Sequence, residues 1–427
     1  MSKMKNSGVA WIGEIPEGWS LIRFKDKWKN IKEIAGEASD EYERLALTLN
    51  GVIKRPKDDS EGLQPKAFDG YQILRENNFI FKMIDLQNIS TSRVGLSPYT
   101  GLVSPAYIRF APKIEGQFSK YTYYFLMSMY YNCVYNNLGG DGVRSALNSS
   151  DMGSFVIPFP DDETQHKIAK HIDLQKVKVD SLIANVQAQI EKLKAYKQSL
   201  ITEVVTKGLD PSVPMKDSGV EWIGNIPQHW NIARIKNVAT ILRGASPRPI
   251  DDYLVAPGTG ENWIKIGDTV KGHKNITQTA QQVSHEGADK SRRVHKGDLI
   301  LTNSMSFGEP YILAIDGCIH DGWLALTSLR DVSEDYMYYF LQSSFCYLQF
   351  KQQVAGGIVQ NLNSEKVASC TIFCPPGDEQ FAIIEHLNYK CSQIERLVAI
   401  KEAKIEKLEQ YRRTLIYEYV TGKKEVP

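Results

Sequence analysis

The chain has 427 residues, 51 Lys and Arg against 50 Asp and Glu, a formal net charge of +1 and 42% hydrophobic residues. This is too long for one core and implies two or three domains, and the balanced charge gives no global argument for a phosphate-binding protein. No run approaches the ~18 apolar residues of a membrane span, the N-terminal segment lacks a continuous apolar signal core, and Cys133, Cys318, Cys346, Cys370, Cys374 and Cys391 show neither a disulfide pattern nor a completed zinc set. A cytoplasmic protein with free thiols and no metal is the expectation.

In chain order, the first feature is Ser7-Gly-Val-Ala-Trp-Ile-Gly-Glu-Ile-Pro-Glu-Gly-Trp19. Its Gly and Pro oppose a regular element, so its Trp and Ile side chains are expected to plug an irregular segment onto a core. A block of about 140 residues follows, with strand patterns at Tyr71–Leu74, Phe79–Phe81 and Tyr107–Phe110, a helix at about Tyr121–Val134, a Gly-rich turn at Gly139–Gly142 and a strand in Phe155–Pro160. Then Glu163–Thr206 runs without proline or glycine, which predicts a rod of roughly 60 Å.

The chain then repeats itself. Ser218-Gly-Val-Glu-Trp-Ile-Gly-Asn-Ile-Pro-Gln-His-Trp230 restates the opening segment, strands are expected at Trp263–Asp268 and Asp298–Thr302, a helix at Tyr336–Phe350, and a second rod over Asp378–Thr421. Tyr124-Phe-Leu126 matches Tyr339-Phe-Leu341, Leu147-Asn148 matches Leu362-Asn363, and Ile190-Glu-Lys-Leu matches Ile405-Glu-Lys-Leu, all at one constant offset. The chain is a tandem duplication. It is also nearly circular, so its termini are expected to lie close together.

Ile172, Val179, Leu182, Val186, Leu193, Tyr196 and Leu200 form a narrow stripe on the first rod; Leu387, Ile394, Leu397, Leu408, Tyr411 and Leu415 form its match, interrupted by Lys401 and Lys404. Such a stripe resembles a coiled-coil seam. The competing account is two unrelated amphipathic helices, each packed on its own domain. The expected fold is α+β: two heads of mixed helix and strand separated by a pair of long antiparallel helices, an intramolecular coiled coil with pseudo-twofold symmetry and a dumbbell outline. The boundaries are 1–160 and 211–375 for the heads, and 161–210 and 376–427 for the helical spacers.

Two inverted heads of one design and different surface suit duplex DNA. Each would read one half-site, with about one helical turn (~34 to 36 Å) placing both on one face. Base reading uses Arg or Lys for guanine and Asn or Gln for adenine, with further cations on phosphates. In the first head the candidates are Lys54, Arg55, Lys57, Lys82, Arg93 and Arg144; in the second they are Arg243, Arg248, Lys271, Lys274, Arg292, Arg293, Lys296, Gln360 and Asn361. Solvated surface charge is the competing account of any one of them. The polar rod faces, with Glu191, Lys192, Lys194 and Lys197 and with Glu402, Lys404, Glu406 and Lys407, are either solvated helix faces with i,i+4 pairs or equivalent docking sites for two copies of one partner.

The order of variable block, long helix, variable block, long helix, with Trp-Ile-Gly-x-Ile-Pro-x-x-Trp entering each block, resembles the specificity subunit of type I restriction-modification systems. Arg243-Gly-Ala-Ser-Pro247 and Asp298-Leu-Ile-Leu-Thr302 resemble segments of that family's target-recognition domains. The first head carries Asn77-Asn78-Phe79-Ile80 where the second has Lys296-Gly-Asp-Leu-Ile300, a divergence that two different half-sites require. The resemblance implies recognition of a bipartite, asymmetric duplex DNA sequence with a nonspecific spacer. It also implies docking of two adenine-N6 methyltransferase subunits and association with restriction and translocase subunits, with S-adenosylmethionine, ATP and magnesium used by those partners rather than by this chain.

Catalysis by the chain itself lacks support. An adenine methyltransferase needs an Asp/Asn/Ser-Pro-Pro-aromatic string, and Ser104-Pro-Ala-Tyr107 lacks the second proline. No phosphate-cradling Gly-x-x-x-x-Gly-Lys-Ser/Thr exists, and Asp161, Asp162 and Glu163 fit helix capping better than a metal cluster. A scaffold whose two heads bind proteins is the alternative function.

Overall fold

The computed structural model describes residues 3–49, 51–59, 65, 67–86, 93–138, 146–221, 223–270, 272–303, 307–354 and 361–427. The chain divides into two compact units, Met1–Asn185 with Lys404–Pro427, and Val186–Ala403. Both long helices form, over Asp162–Lys207 (46 residues) and Gly377–Val420 (44 residues), and each unit takes part of both. Asp161 caps the first through Thr164, its carboxylate 2.9 Å from the Thr164 amide and 2.7 Å from the hydroxyl. These bonds, the amide contact first, hold the Asp161 carboxyl below its ordinary range, as expected for an acid on a helix N-terminus. The second helix stops at Gly422, where φ is +69° and a Cβ would lie 2.3 Å from Pro16, so only glycine fits the reversal.

In the first unit, Trp28–Asn30, Ile108–Pro112, Phe79–Lys82 and Arg93–Leu96 form an antiparallel four-stranded sheet in that spatial order. Its aromatic residues Trp28, Phe79, Phe81 and Phe110, with Phe24 from the short helix Phe24–Lys27 just before it, make one buried cluster with the helix Lys120–Tyr131. The same core takes in Ile168, Ala169 and Ile172 from the first long helix and Leu415, Ile416, Tyr419 and Val420 from the second. The helix expected to run to Val134 breaks instead at Cys133, whose φ is +54°, and a short helix resumes over Val134–Leu138. The opening Trp-Ile-Gly segment is more regular than its glycines suggest: Met4–Asn6 and Glu14–Pro16 flank it as a two-stranded hairpin. Near the other end of the chain, Tyr417 donates to the Trp11 carbonyl at 3.0 Å and Lys423 to the Ile12 carbonyl at 2.7 Å.

The second unit has two five-stranded sheets. One orders Thr240–Arg243, Trp323–Thr327, Leu299–Thr302, Pro310–Leu313 and Asn275–Ile276; the other orders Leu254–Val255, Gln281–Val283, Glu261–Ile264, Gly317–Ile319 and Arg292–Val294. The strand at Trp263 ends at Ile264 and a 3-10 turn covers Ile266–Asp268, shorter than its sequence pattern suggested. The expected helix at Tyr336–Phe350 is two helices, Glu334–Gln342 and Ser344–Val354, parted at Ser343, which is extended.

The duplication is carried by specific bonds. The Tyr121 hydroxyl lies 2.8 Å from the Pro158 carbonyl and 2.9 Å from that of Val420, and its counterpart Tyr336 lies 2.8 Å from Phe373 and 3.3 Å from Val205. Gln165 donates to the Pro160 carbonyl and Gln380 to that of Pro375. Asn77 and Gly297, at equivalent turns before a central strand, both have positive φ (59° and 94°), which asparagine tolerates better than most residues. The sequence divergence there keeps the backbone.

Within the first unit the long helices meet through Asp180 and Arg412, 2.6 Å apart, and through the rings of His171 and Tyr419. In the second they meet through Lys197 and Glu395 at 2.6 Å and Gln189 and Lys401 at 2.5 Å. In each unit residue numbers rise along one helix as they fall along the other. Asp180 corresponds to Glu395, and Arg412 to Lys197, by the repeat offset, so each unit carries the same ion pair.

Ile172, Val179, Val186, Leu387, Ile394 and Leu415 of the expected stripe are buried. Leu182, Tyr196, Leu397 and Tyr411 are not; they are 47–55% exposed. A step of three residues turns a helix by about 300°, leaving these positions on the flank of a line that advances in sevens.

Arg109, 1% exposed on an inner strand of the first sheet, donates to Asn78 Oδ1 at 2.7 Å and reaches Glu33 at 3.2 Å. Glu33 also accepts from Arg75, which more than Arg109 holds its carboxyl below the ordinary value against the opposing effect of burial. A carboxyl depressed in the folded state contributes stability above its unfolded pKa and loses it as pH falls through the folded value. Replacing Glu33→Gln should therefore destabilise the first unit near neutral pH by about 1–2 kcal/mol, an exposed pair's contribution raised by the buried Arg109. The deficit should shrink below the ordinary carboxylate value of 4.5, and urea titrations followed by tryptophan fluorescence at both pH values check it.

Candidate nucleic-acid interface

In the second unit the strand Thr240–Arg243 lies on the edge of its sheet and pairs with Trp323–Thr327. The chain leaving it folds across the turn at 319–323. The Gly244 amide donates to the Trp323 carbonyl at 2.9 Å and the Ala245 amide to that of Ile319 at 3.1 Å. A Cβ on Gly244 would come within 1.9 Å of the His320 carbonyl, so the close approach of the two segments demands glycine. Ser291 donates to the Ala245 carbonyl, and Arg292 Nε lies 3.2 Å from the Arg243 carbonyl.

The turn presents Asp321. Ser246 donates to Asp321 Oδ1 at 2.7 Å, Arg248 approaches Oδ2 at 3.5 Å, and Asn303 donates to the Asp321 carbonyl at 2.7 Å. The Ser246 hydroxyl is the main cause that keeps the Asp321 carboxyl below its ordinary range. His320 stands 3.9 Å from the same carboxylate, but its Nδ1 accepts the Gly322 amide at 2.9 Å and burial lowers its pKa, so the imidazole is neutral and this is not an ion pair. The Leu362 amide donates to the Asn303 carbonyl and brings the exposed Asn361 beside this corner. Four candidates, Arg243, Arg248, Arg292 and Asn361, thus gather around one turn, with Arg248 82% exposed.

Other candidates of the second head are engaged elsewhere. Arg293, next to Arg292 on a strand, points the other way and pairs with Glu261 and Asp289. Lys274 pairs with Asp335 and lies 5.1 Å from the Tyr338 ring centre, tying its loop to the helix Glu334–Gln342. Lys296 is exposed in the turn before Leu299–Thr302. The Cys318 thiol near Glu261 is pushed up to about 12, chiefly by burial, and stays protonated. Lys271, Gln360 and Arg144 lie outside the described residues.

The first head arranges its cations differently. Lys54, at the end of the hairpin Leu45–Thr48 with Gly51–Lys54, pairs with Glu43 at 2.5 Å and lies 5.3 Å from the Tyr99 ring. Arg55 pairs with Asp59 at 2.5 Å. Lys57 donates to the Ser39 carbonyl and shares the Phe68 ring with Arg44, each 5.7 Å from its centre. Lys82 and Arg93 stand opposite each other on adjacent strands.

On the helices, Glu191, Lys192, Lys194, Glu402, Lys404, Glu406 and Lys407 are exposed, whereas Lys197 turns toward Glu395. The sequence reading missed a second feature. The first unit exposes Leu174, Leu182 and Tyr411, and the second exposes Tyr389, Leu397 and Tyr196, all 47–61% accessible. These two sets correspond residue by residue at the repeat offset. Two of the three pairs had been assigned to the seam, and only three-dimensional burial separates them from it. Asn303 and Asp321 were also missed, as was the role of Ser246 within the Arg243–Pro247 segment, since nothing in sequence links Asp321 to partners 18 and 75 positions away. Among the described residues, no cluster of three or more His, Cys, Asp or Glu could hold a metal ion, and no helix is long and apolar enough to cross a membrane.

Comparison with known proteins gives this geometry a context. The family described as the type I restriction modification DNA specificity domain matches residues 27–195 and again 227–410. From Methanocaldococcus jannaschii, a protein named as the MjaX specificity subunit of a type I restriction enzyme is 24% identical, over 99% of this chain and 97% of its own length. The type I restriction enzyme MjaVIII specificity subunit of the same organism is 22% identical, over 96% and 93%. A solved chain from work on complex assembly and conformational transition of the type I R-M system covers 96% of this chain and 99% of its own length, with TM-score 0.68 at 14% identity, a likeness of fold. With two matched copies spanning most of its length, the chain belongs to the type I restriction modification DNA specificity domain family.

Proposed function

We propose that the protein is the sequence-specific DNA-recognition subunit of a type I restriction-modification complex, each head reading one part of a bipartite, asymmetric site. The observation that carries this is the pair of heads built on one set of bonds, Tyr121 with Val420 and Tyr336 with Val205, yet bearing unlike cationic surfaces. Identical frames position two readers in the same way, and unlike surfaces read different bases. The long helices act as an antiparallel, pseudo-twofold intramolecular coiled coil that sets the distance between half-sites. The paired contacts Asp180 with Arg412 and Lys197 with Glu395 support that reading.

The same reading gives the helices their partners. Exposed apolar side chains are costly unless covered, and the matching sets Leu174, Leu182, Tyr411 and Tyr389, Leu397, Tyr196 fit two copies of one adenine-N6 methyltransferase subunit, with the neighbouring charges of both helices at the rims. Restriction and translocase subunits join that assembly. The chain is non-catalytic: S-adenosylmethionine, ATP and magnesium are bound by its partners, and the complex works in the cytoplasm.

Sequencing of methylated adenines in host DNA, with the gene intact and deleted and an active methyltransferase present, should reveal one bipartite motif that disappears with the gene. An unchanged methylome would sink the DNA-reading assignment and favour a scaffold whose heads bind proteins. Affinity of the purified complex for the motif should fall steeply with salt through counterion release. In native mass spectrometry the wild-type chain should carry two methyltransferase subunits; Leu182→Glu and Leu397→Glu should each leave one, and the double variant none. Retention of both subunits by the double variant would place the docking surface elsewhere.

A further inference from the structure

The corner at 319–323 contains two kinds of arginine. Among the described residues, neither Arg243 nor Arg292 pairs with a carboxylate, whereas Arg248 leans on Asp321. Asp321 is itself held by three hydrogen bonds: Ser246 donates to its carboxylate at 2.7 Å, its amide donates back to the Ser246 hydroxyl at 3.4 Å, and its carbonyl accepts from Asn303. A carboxylate held on one oxygen by Ser246, with the other 3.5 Å from a side chain that is 82% exposed, serves to aim that side chain rather than to bury it.

We infer that Arg248, aimed by Asp321, reads a guanine in the half-site contacted by the second head. This rests on the DNA-recognition function proposed above. A guanidinium has five N–H donors in a rigid plane, and one edge directed at Asp321 leaves the others to span the adjacent O6 and N7 acceptors of guanine, which arginine grips with two parallel bonds. A phosphate is the poorer target, because the Asp321 carboxylate would repel a second anion at the same guanidinium while leaving a neutral base edge unopposed. Phosphates fall instead to Arg243 and Arg292, which carry no such neighbour. Arg293 has no part, since Glu261 and Asp289 already neutralise it. Asp321 is a positioning residue: its loss frees the arginine to rotate without removing the donors.

The test uses the full chain in complex with its methyltransferase partner. Wild type, Arg248→Ala, Arg248→Lys, Asp321→Asn and the control Arg292→Ala are compared by their methylated motif and by competition binding to duplexes of that motif, with 7-deazaguanine, which lacks N7, replacing each guanine in turn. One 7-deazaguanine position should weaken wild-type binding about 10- to 100-fold, and Arg248→Ala should bind the intact and modified duplexes equally. Its motif should become degenerate at that base pair alone, with the other half-site unchanged. Arg248→Lys, which keeps the charge and loses the fork, should relax the same position and serves as the variant should the alanine complex not assemble. Asp321→Asn should relax it partially. Arg292→Ala should weaken all duplexes alike and reduce the salt slope by about one.

The inference is overturned by a motif with no guanine, by a 7-deazaguanine penalty that persists in the Arg248 variants, or by uniform weakening with a reduced salt slope in Arg248→Ala, which would make it a phosphate contact. A wild-type complex with an active partner and no motif at all would instead overturn the DNA-recognition function itself.

Discussion

In each unit one buried hydroxyl joins a strand of the head to the end of a long helix. Tyr121 and Tyr336, both fully enclosed, set their OH groups between a strand carbonyl and the carbonyl of the last turn of a long helix. The final carbonyls of a helix have no partner within it, and burying one unsatisfied is expensive. Burial also pushes both phenols well above their ordinary pKa, so they remain donors under all ordinary conditions. The end of a long helix is thereby fixed into the core of the head.

From that anchoring the division of labour follows. The frame holds the tyrosines, the Gln165 and Gln380 amides and the matched ion pairs of the helices, and it is the same in both copies. The surfaces proposed to read DNA have no such obligations and differ: a hairpin with cations and aromatic rings in the first head, an arginine corner on a tight turn in the second. Binding energy for a polyanion comes from the local excess of cations, not from the sum over the chain. Glu43, Asp59, Asp335, Glu261 and Asp289 each neutralise a nearby cation, and the neutral total conceals the patch that they leave around Arg243 and Arg292.

The duplication, both long helices and a minority of the strands were legible in the sequence, because offset and periodicity are properties of spacing alone. The strand at Phe79 and the one at Leu299 formed where short apolar runs indicated, since each is an inner strand of its sheet and is buried on both faces. Interruptions were not legible. Cys133 breaks its helix through a positive φ, and Ser343 ends one helix and caps the next, its hydroxyl accepting the Cys346 amide at 3.1 Å. Leu182, Tyr196, Leu397 and Tyr411 were likewise misplaced onto the seam, since a heptad pattern reports which residues are apolar and not which of them are covered.

The sequence by itself therefore determined a two-copy protein with long helices, unlike heads and a pool of candidate cations, and it sufficed to identify the family. Tertiary structure alone sorted that pool. Arg292 and Arg293 are adjacent in sequence, yet strand alternation sends one to the open corner and the other to two acids. Lys274 sits in a turn-rich loop like Arg248, yet two tyrosine rings and Asp335 draw it inward. Whether a charge is available to a ligand depends on what the fold packs beside it, and the partners of Arg248, Ser246 through Asp321, come together only when the loop after Arg243 crosses a turn more than 70 residues away.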